Sequence, residues 1–294
     1  MTAPSRTLRD AVRRYYDANT RRFLSLGEGG GALAIHRAVY APGVRSSREA
    51  AEWINGRVAR TFADLPVGAR LLDLGCGVGG TAFWIAAGHP WRITGVTLSP
   101  VQVELARSLA ARRPEGARCD FVEGDFTRPG TLPAADGAYA IEAFCHAADA
   151  ARFFEAAAAA LRPGARLLLV DDFRTDAPAD PAVLERFRRG WRVGTLLRVA
   201  EVAALAEAAG LALSGREDLS PYLSLGRPRD RVVRVLCRSL GWARFLDRWP
   251  AWANLVGGDA LQQALLEGWL AYQVLTFVRR GSRAGEREVA RAGS

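Results

Sequence analysis

The stretch LLDLGCGVGG, Leu71–Gly80, decides the fold. An apolar run ends in an acid, Asp73, and four of the next seven residues are glycine. Glycine lets a backbone turn tightly and approach a ligand closely. A helix that opens there, GVGGTAFWIAAG, presents its free N–H groups to that ligand. The stretch therefore reads as buried strand, ligand-binding turn and helix start.

The same alternation runs outward from it. WRITGVTL (91–98) is a second strand, followed by a helix over SPVQVELARSLAARR with Ser99 as N-cap and Pro100 at its first position. ARCDFVEGD (117–125) and GAYAIEAF (137–144) are further strands, and DAARFFEAAAAAL (149–161) is the next helix. ARLLLVDDF, LALSGREDL and the late WLAYQVLTFVRRG supply three more strands, with EVAALAEAAG a helix between the first two. Strands alternating with helices imply an α/β fold: a Rossmann-like, doubly wound, seven-stranded and mostly parallel sheet. Residues 1–60 read as N-terminal lid helices, with an amphipathic helix over 5–24. Residues 61–175 read as the binding core, 176–280 as helical substrate roof plus the final strands, and 281–294 as a flexible, frayed tail.

Composition narrows the function. Of 294 residues, 49% are hydrophobic, enough for a large core. No apolar run reaches the ~18 residues of a membrane span, and MTAPSRTLRDAVRRYYD lacks the apolar centre of a signal peptide, so a cytoplasmic protein is expected. The net charge is +9, yet every Lys/Arg position is Arg, as in a GC-rich coding sequence, so the charge is a weak pointer to polyanions. Without Lys there is no lysine Schiff base. Cys76, Cys119, Cys145 and Cys237 show no metal-ligand spacing, and no metal is expected. No nucleic-acid partner is expected either: there is no N/D-P-P-Y/F motif and no appended nucleic-acid module.

Two motifs choose between cofactors. Gly75, Gly77 and Gly80 fit the weak G-x-G-x-x-G dinucleotide fingerprint. That site expects an acid about 20 residues on, at the end of the second strand, where this chain has Thr97. Acids sit instead at Asp73 and at Asp125, in EGDF. An NAD enzyme is disfavoured but stays open at this point. The second motif is YAIEAFCHA, Tyr139–Ala147: a strand that closes on Glu142 and then His146, one of three histidines. A buried strand end needs neither, and ligands of open α/β sheets lie beyond the carboxyl ends of the strands.

On these residues the chain resembles the class I S-adenosylmethionine-dependent methyltransferases over nearly its whole length. DLGCGVGG looks like their first motif, GVTLSPVQ is similar to the GITLSPVQ of tocopherol methyltransferases, and YAIEAFCHA is similar to the YAIEATCHA of sterol C-methyltransferases. YYDANTRRF…GGGALAIHRA resembles the N-terminal segment of the sterol group, with His36 at its histidine, and EDLS (217–220) stands where that group has EDLA. Rebeccamycin-type O-methyltransferases share the pattern; cyclopropane fatty-acid synthases share it more loosely.

The resemblance implies S-adenosyl-L-methionine as cofactor, held by Tyr16, Asp73, Gly75, Cys76, Gly77, Thr97, Leu98, Gln102, Gly124, Asp125 and Phe126. Asp73 would take its amino-acid end, Thr97, Leu98 and Gln102 its ribose side, and Asp125 with Phe126 its adenine. Glu142, His146, Tyr16 and His36 are the catalytic candidates, while His89 reads as structural.

The expected reaction is C-methylation of an isoprenoid or terpenoid alkene through a carbocation. Tyr16, Phe144, Trp191 and Tyr222 would shield that cation. The alternative is O-methylation of a phenol, quinone or sugar hydroxyl in natural-product metabolism, with His146 taking the proton. A binding module that keeps the fold without turnover is a further class. The acceptor is expected to be small and lipophilic; because the N-terminal aromatic run of the sterol group is reduced to FLSLGEGG and the roof diverges, a sterol is not implied. Arg186, Arg188, Arg189, Arg192 and Arg198 read as a solvated roof face, with bidentate contact to a substrate diphosphate as the second reading. RVVRVLCRSLGWARFLDRW interleaves Arg with apolar residues; core packing is the expectation, with membrane-surface contact second. A homo-oligomer stays open.

Overall fold

The computed structural model describes residues 3–26, 33, 36–240 and 250–281. Seven strands form one sheet in the order β3-β2-β1-β4-β5-β7-β6. They are β1 (Arg70–Leu74), β2 (Arg92–Thr97), β3 (Cys119–Glu123), β4 (Ala135–Ile141), β5 (Leu161–Arg174), β6 (Leu211–Asp218) and β7 (Leu270–Arg279). Strands β1 to β5 pair in parallel, and β7 runs antiparallel between β5 and β6. The expected seven-stranded, mostly parallel sheet is therefore present. The strand β5 begins at Leu161, earlier than its apolar run suggests, because LRPGA joins the ladder through a bulge.

Local sequence explains the helix starts. Ser99 caps α4 (Pro100–Ala110) by accepting from Gln102 N at 3.1 Å, with Pro100 at the first position. Asp149 caps α5 (Ala150–Ala160) by accepting from Arg152 N. Gly79, at φ 84°, enters α3 (Gly80–Gly88); a Cβ there would stand 2.4 Å from the Phe121 ring. Two apolar layers sandwich the sheet. One gathers Phe62, Phe83, Phe121, Tyr139 and Tyr272; the other gathers Phe144, Phe153, Phe154, Phe173 and Phe277.

The remaining helices cover the carboxyl ends of the strands. The helix α1 (Ala3–Leu26) lies against α4 and α9 (Pro250–Leu266). Helices α6 (Pro181–Trp191) and α9 cross where Gly190 and Gly257 leave no room for a Cβ. The helix α8 (Pro228–Leu240) packs on α9. The other two helices are α2 (Ser47–Thr61) and α7 (Val199–Ala208). Residues 241–249 of the expected roof, 282–294 of the expected tail and the GEGG half of FLSLGEGG lie outside the described residues. Among the described residues no helix is long and apolar enough to cross a membrane.

Candidate active site

A cavity of about 590 Å³ opens above the carboxyl ends of β1, β2, β4 and β5, between α1 on one side and α8 and α9 on the other. That size is ordinary for a small-molecule site.

Its floor is the glycine turn. Asp73, Gly75, Cys76 and Gly77 line it, and Gly75 and Gly77 have φ of 89° and 54°. Asp73 is buried, and among the described residues its Oδ2 has no hydrogen-bond partner. Burial pushes its carboxyl up to about 7, against the lowering effect of the nearby Tyr139 hydroxyl. A buried carboxylate oxygen without a donor costs free energy, which suits it to a cationic or donor group.

The neighbouring wall is Thr97, Leu98, Ser99, Gln102 and Phe126. Thr97 donates to Gln102 Oε1 at 2.6 Å, and Gln102 Nε2 donates to Thr20 Oγ1 of α1 at 3.2 Å. Ser99 Oγ also donates to Asp17, so α1 is tied to the start of α4. Gly124 and Asp125 do not line the cavity. Asp125 Oδ1 is spent on Thr127, accepting from its N–H at 2.9 Å and its hydroxyl at 2.6 Å. These two expected cofactor contacts therefore lie outside the wall, because the carboxylate closes its own turn.

The opposite end holds both residues of the second motif. Glu142 follows β4 with φ 49°, left-handed backbone that is costly for a residue with a Cβ. Its Oε1 accepts from Arg37 N at 2.9 Å, Arg37 Nε at 3.2 Å and the Tyr272 hydroxyl at 2.7 Å. All three of these hydrogen bonds go to Oε1, and Glu142 lines the cavity. Burial would raise this carboxyl, but the Arg37 charge and the donated hydrogen bonds win and hold it below its ordinary value. Glu142 is thus a fixed negative charge.

Arg37 also grips Asp172 through two nitrogens, at 3.0 and 2.7 Å, and stacks 3.9 Å over the Tyr272 ring. Beside it, Asp171 accepts from Cys145 N and Asp172 N, and burial pushes it up to about 7. Two acids, Glu142 and Asp172, share one arginine at this end of the cavity, and Asp171 lies beside them.

His146 also lines the cavity. Its Nδ1 lies 3.3 Å from the Arg192 carbonyl, which can only accept, so the proton sits on Nδ1. Nε2 then accepts from the Tyr16 hydroxyl at 2.7 Å. Burial holds the imidazole below its ordinary value, so it is neutral at pH 7 with its Nε2 lone pair taken up by the Tyr16 hydroxyl. Tyr15, the next residue, donates to Asn254 of α9 at 2.6 Å, so α1 joins cofactor wall, histidine and roof.

His36 lines the cavity, with Nε2 3.2 Å from Asn55 Oδ1 and Nδ1 3.3 Å from the Arg37 carbonyl. These contacts tie it to α2 and to the segment carrying Arg37. His89 stacks on Trp91 at 4.3 Å, away from the cavity, as its turn suggested.

The aromatic lining is thinner than expected. Tyr16 and Trp191 face the cavity; Phe144 is buried among Phe153, Phe154 and Phe173, and Tyr222 packs on the core. The arginines of 186–198 are absent from the lining, which holds Arg13, Arg37, Arg227 and Arg229. Arg37, Tyr272, Asp171 and Asp172 are the site residues that sequence reasoning missed. The only signal was the acid pair closing LLLVDDF.

Comparison with known proteins agrees with this geometry. The family model described as "Methyltransferase domain" matches residues 72–169. The chain is 31% identical over 253 residues to 24-methylenesterol C-methyltransferase 2 of Oryza sativa subsp. japonica, covering 80% of this chain and 69% of that protein. It is 32% identical over 202 residues to O-methyltransferase resE of Aspergillus sclerotiorum, covering 66% and 72%. Among solved structures, the [4+2]-cyclase SpnF superposes with a TM-score of 0.70 at 26% identity, over 92% of this chain and 95% of that one.

Proposed function

Because the chain belongs to the S-adenosylmethionine-dependent methyltransferases, we propose that it methylates a carbon of a small isoprenoid or terpenoid alkene through a carbocation. Asp73, the glycine turn and the Thr97–Gln102 wall suit the cofactor: an orphaned buried carboxylate meets its amino group, and glycine leaves space for its backbone-like end. When bound, the cofactor supplies an electrophilic methyl group.

The observation that carries the proposal is Glu142. An alkene that takes up a methyl group leaves positive charge on its neighbouring carbon. A carboxylate already ionised, already oriented by three donors on Oε1 and lining the cavity stabilises that charge without reorganising. Its lowered pKa makes it a poor base, so the final proton goes to the Tyr16 hydroxyl oxygen while that hydroxyl passes its own proton to His146 Nε2, 2.7 Å away. Trp191 and Tyr16 supply ring faces.

The hydroxyl alternative has its own support in the Tyr16–His146 hydrogen bond, since a neutral imidazole can take a hydroxyl proton there. O-methyltransferases among the relatives fit that reading too.

The carbocation reading is tested with N,N-dimethylgeranylamine, which is protonated at pH 7, against its uncharged carbon isostere. Calorimetry is run with S-adenosylhomocysteine present. The ammonium form is expected to bind at least ~10-fold tighter, as a mimic of the cationic transition state, and Glu142→Gln removes that preference. Equal affinities, or a preference that survives the substitution, would rule the reading out.

A further inference from the structure

We propose that the outer face of α8 seats the protein on an anionic membrane surface, from which the acceptor enters the cavity. The entry half of this statement rests on the acceptor being lipophilic; the seating half does not. Sequence alone favours packing this helix on the core, yet its apolar side chains divide between two faces. Val232, Val235 and Leu236 are 61%, 63% and 44% exposed. At 100° per residue they share one narrow stripe.

The opposite face points inward. Asp230 and Val233 line the cavity, and Arg234 pairs with Asp259 of α9 at 3.3 Å. One helix, ~10 Å across, therefore separates the stripe from the cavity.

Charge selects the occupant. Arg229 and Arg231, both exposed, flank the stripe on its two sides, and the chain carries +9 overall. Apolar side chains at the centre and arginines at the margins match an interface whose headgroups are acidic and whose interior is hydrocarbon. A stripe of three side chains is also narrow for a stable protein interface, which takes about 20 residues a side.

The test is cosedimentation of the full chain with phosphatidylcholine vesicles, with and without phosphatidylglycerol. Binding is expected only with the acidic lipid and is expected to weaken with added salt. The triple substitution Val232→Ser, Val235→Ser, Leu236→Ser should weaken binding at least ~10-fold. Arg231→Glu should weaken it severalfold. Neither variant should change S-adenosylhomocysteine affinity, which reports that the fold and the cofactor site are intact. No vesicle binding, or binding that both variants retain, overturns the proposal. So does a wild-type dimer that the triple variant turns into a monomer, because the stripe would then be covered by a second copy.

Discussion

Glu142→Gln is expected to lower turnover at least ~100-fold while leaving the affinity for S-adenosylmethionine within a small factor. The substitution keeps the shape and the acceptor Oε1, so Arg37 N, Arg37 Nε and the Tyr272 hydroxyl still have their partner. Arg37 also keeps its two contacts to Asp172. What disappears is the charge that Glu142 turns toward the cavity. The pH dependence follows from the same network. A carboxyl held below its ordinary value of 4.5 stays ionised across the neutral range. Its contribution to stability is complete at neutral pH and is lost only as pH falls through the lowered pKa. Turnover should therefore show no limb from Glu142 between pH 6 and 8. Steady-state kinetics against pH, beside calorimetry of both proteins, reads all of this. Unchanged turnover would remove Glu142 from the mechanism.

The second large effect is expected at Asp73. Asp73→Asn should weaken S-adenosylmethionine binding on the order of 100-fold, the scale of a lost charged hydrogen bond in a buried site. The ligand-free variant should nevertheless melt a few degrees higher than the wild type at pH 8. Burial raises Asp73 to about 7, so the empty site opposes its ionisation. A raised carboxyl takes stability from the folded state as pH climbs from the unfolded value of ~4 to the folded one. Asparagine has no charge to form. Cofactor binding should show the converse: affinity for the wild type falls up to tenfold per pH unit below about 7. That slope flattens in Asp73→Asn, which separates it from the titration of Asp171. A variant that binds normally, or whose melting temperature falls, would contradict this assignment.

Much of the fold was legible because the signals were local. The glycine turn, the Ser99–Pro100 start of α4, the Asp149 cap and the seven apolar runs each declare themselves within a few residues. Glu142 and His146 were legible because a charged or titratable side chain at a buried strand end has no purpose in packing.

What escaped was nonlocal. Arg37 meets Glu142 across 105 positions and Tyr272 meets it across 130. One arginine among 40 basic residues gives no sign of being the one that is buried. Asp171 and Asp172 passed for the ordinary end of a strand. Phe144 was misplaced because composition does not say which face of the Phe144–His146 turn an aromatic takes; here it joins the phenylalanine layer. Asp125 was placed by resemblance, and its own turn now holds one of its oxygens. His36 stands at the histidine of the sterol group's N-terminal segment, and its contacts to Asn55 and the Arg37 carbonyl are equally nonlocal or backbone-borne, so sequence does not show them.

The account turns on the atom that receives the methyl group. The purified protein would be incubated with S-adenosylmethionine carrying a ¹³C-methyl group and two acceptor pools. One pool would hold isoprenoid alcohols, prenyl diphosphates and terpenoids; the other, phenols, quinones and glycosides. Mass spectrometry and carbon NMR then locate the label. The account predicts a new carbon–carbon bond in the first pool, lost in Glu142→Gln. A methyl on oxygen, formed equally well by Glu142→Gln and abolished in His146→Gln, would contradict it and leave Tyr16–His146 as the working pair.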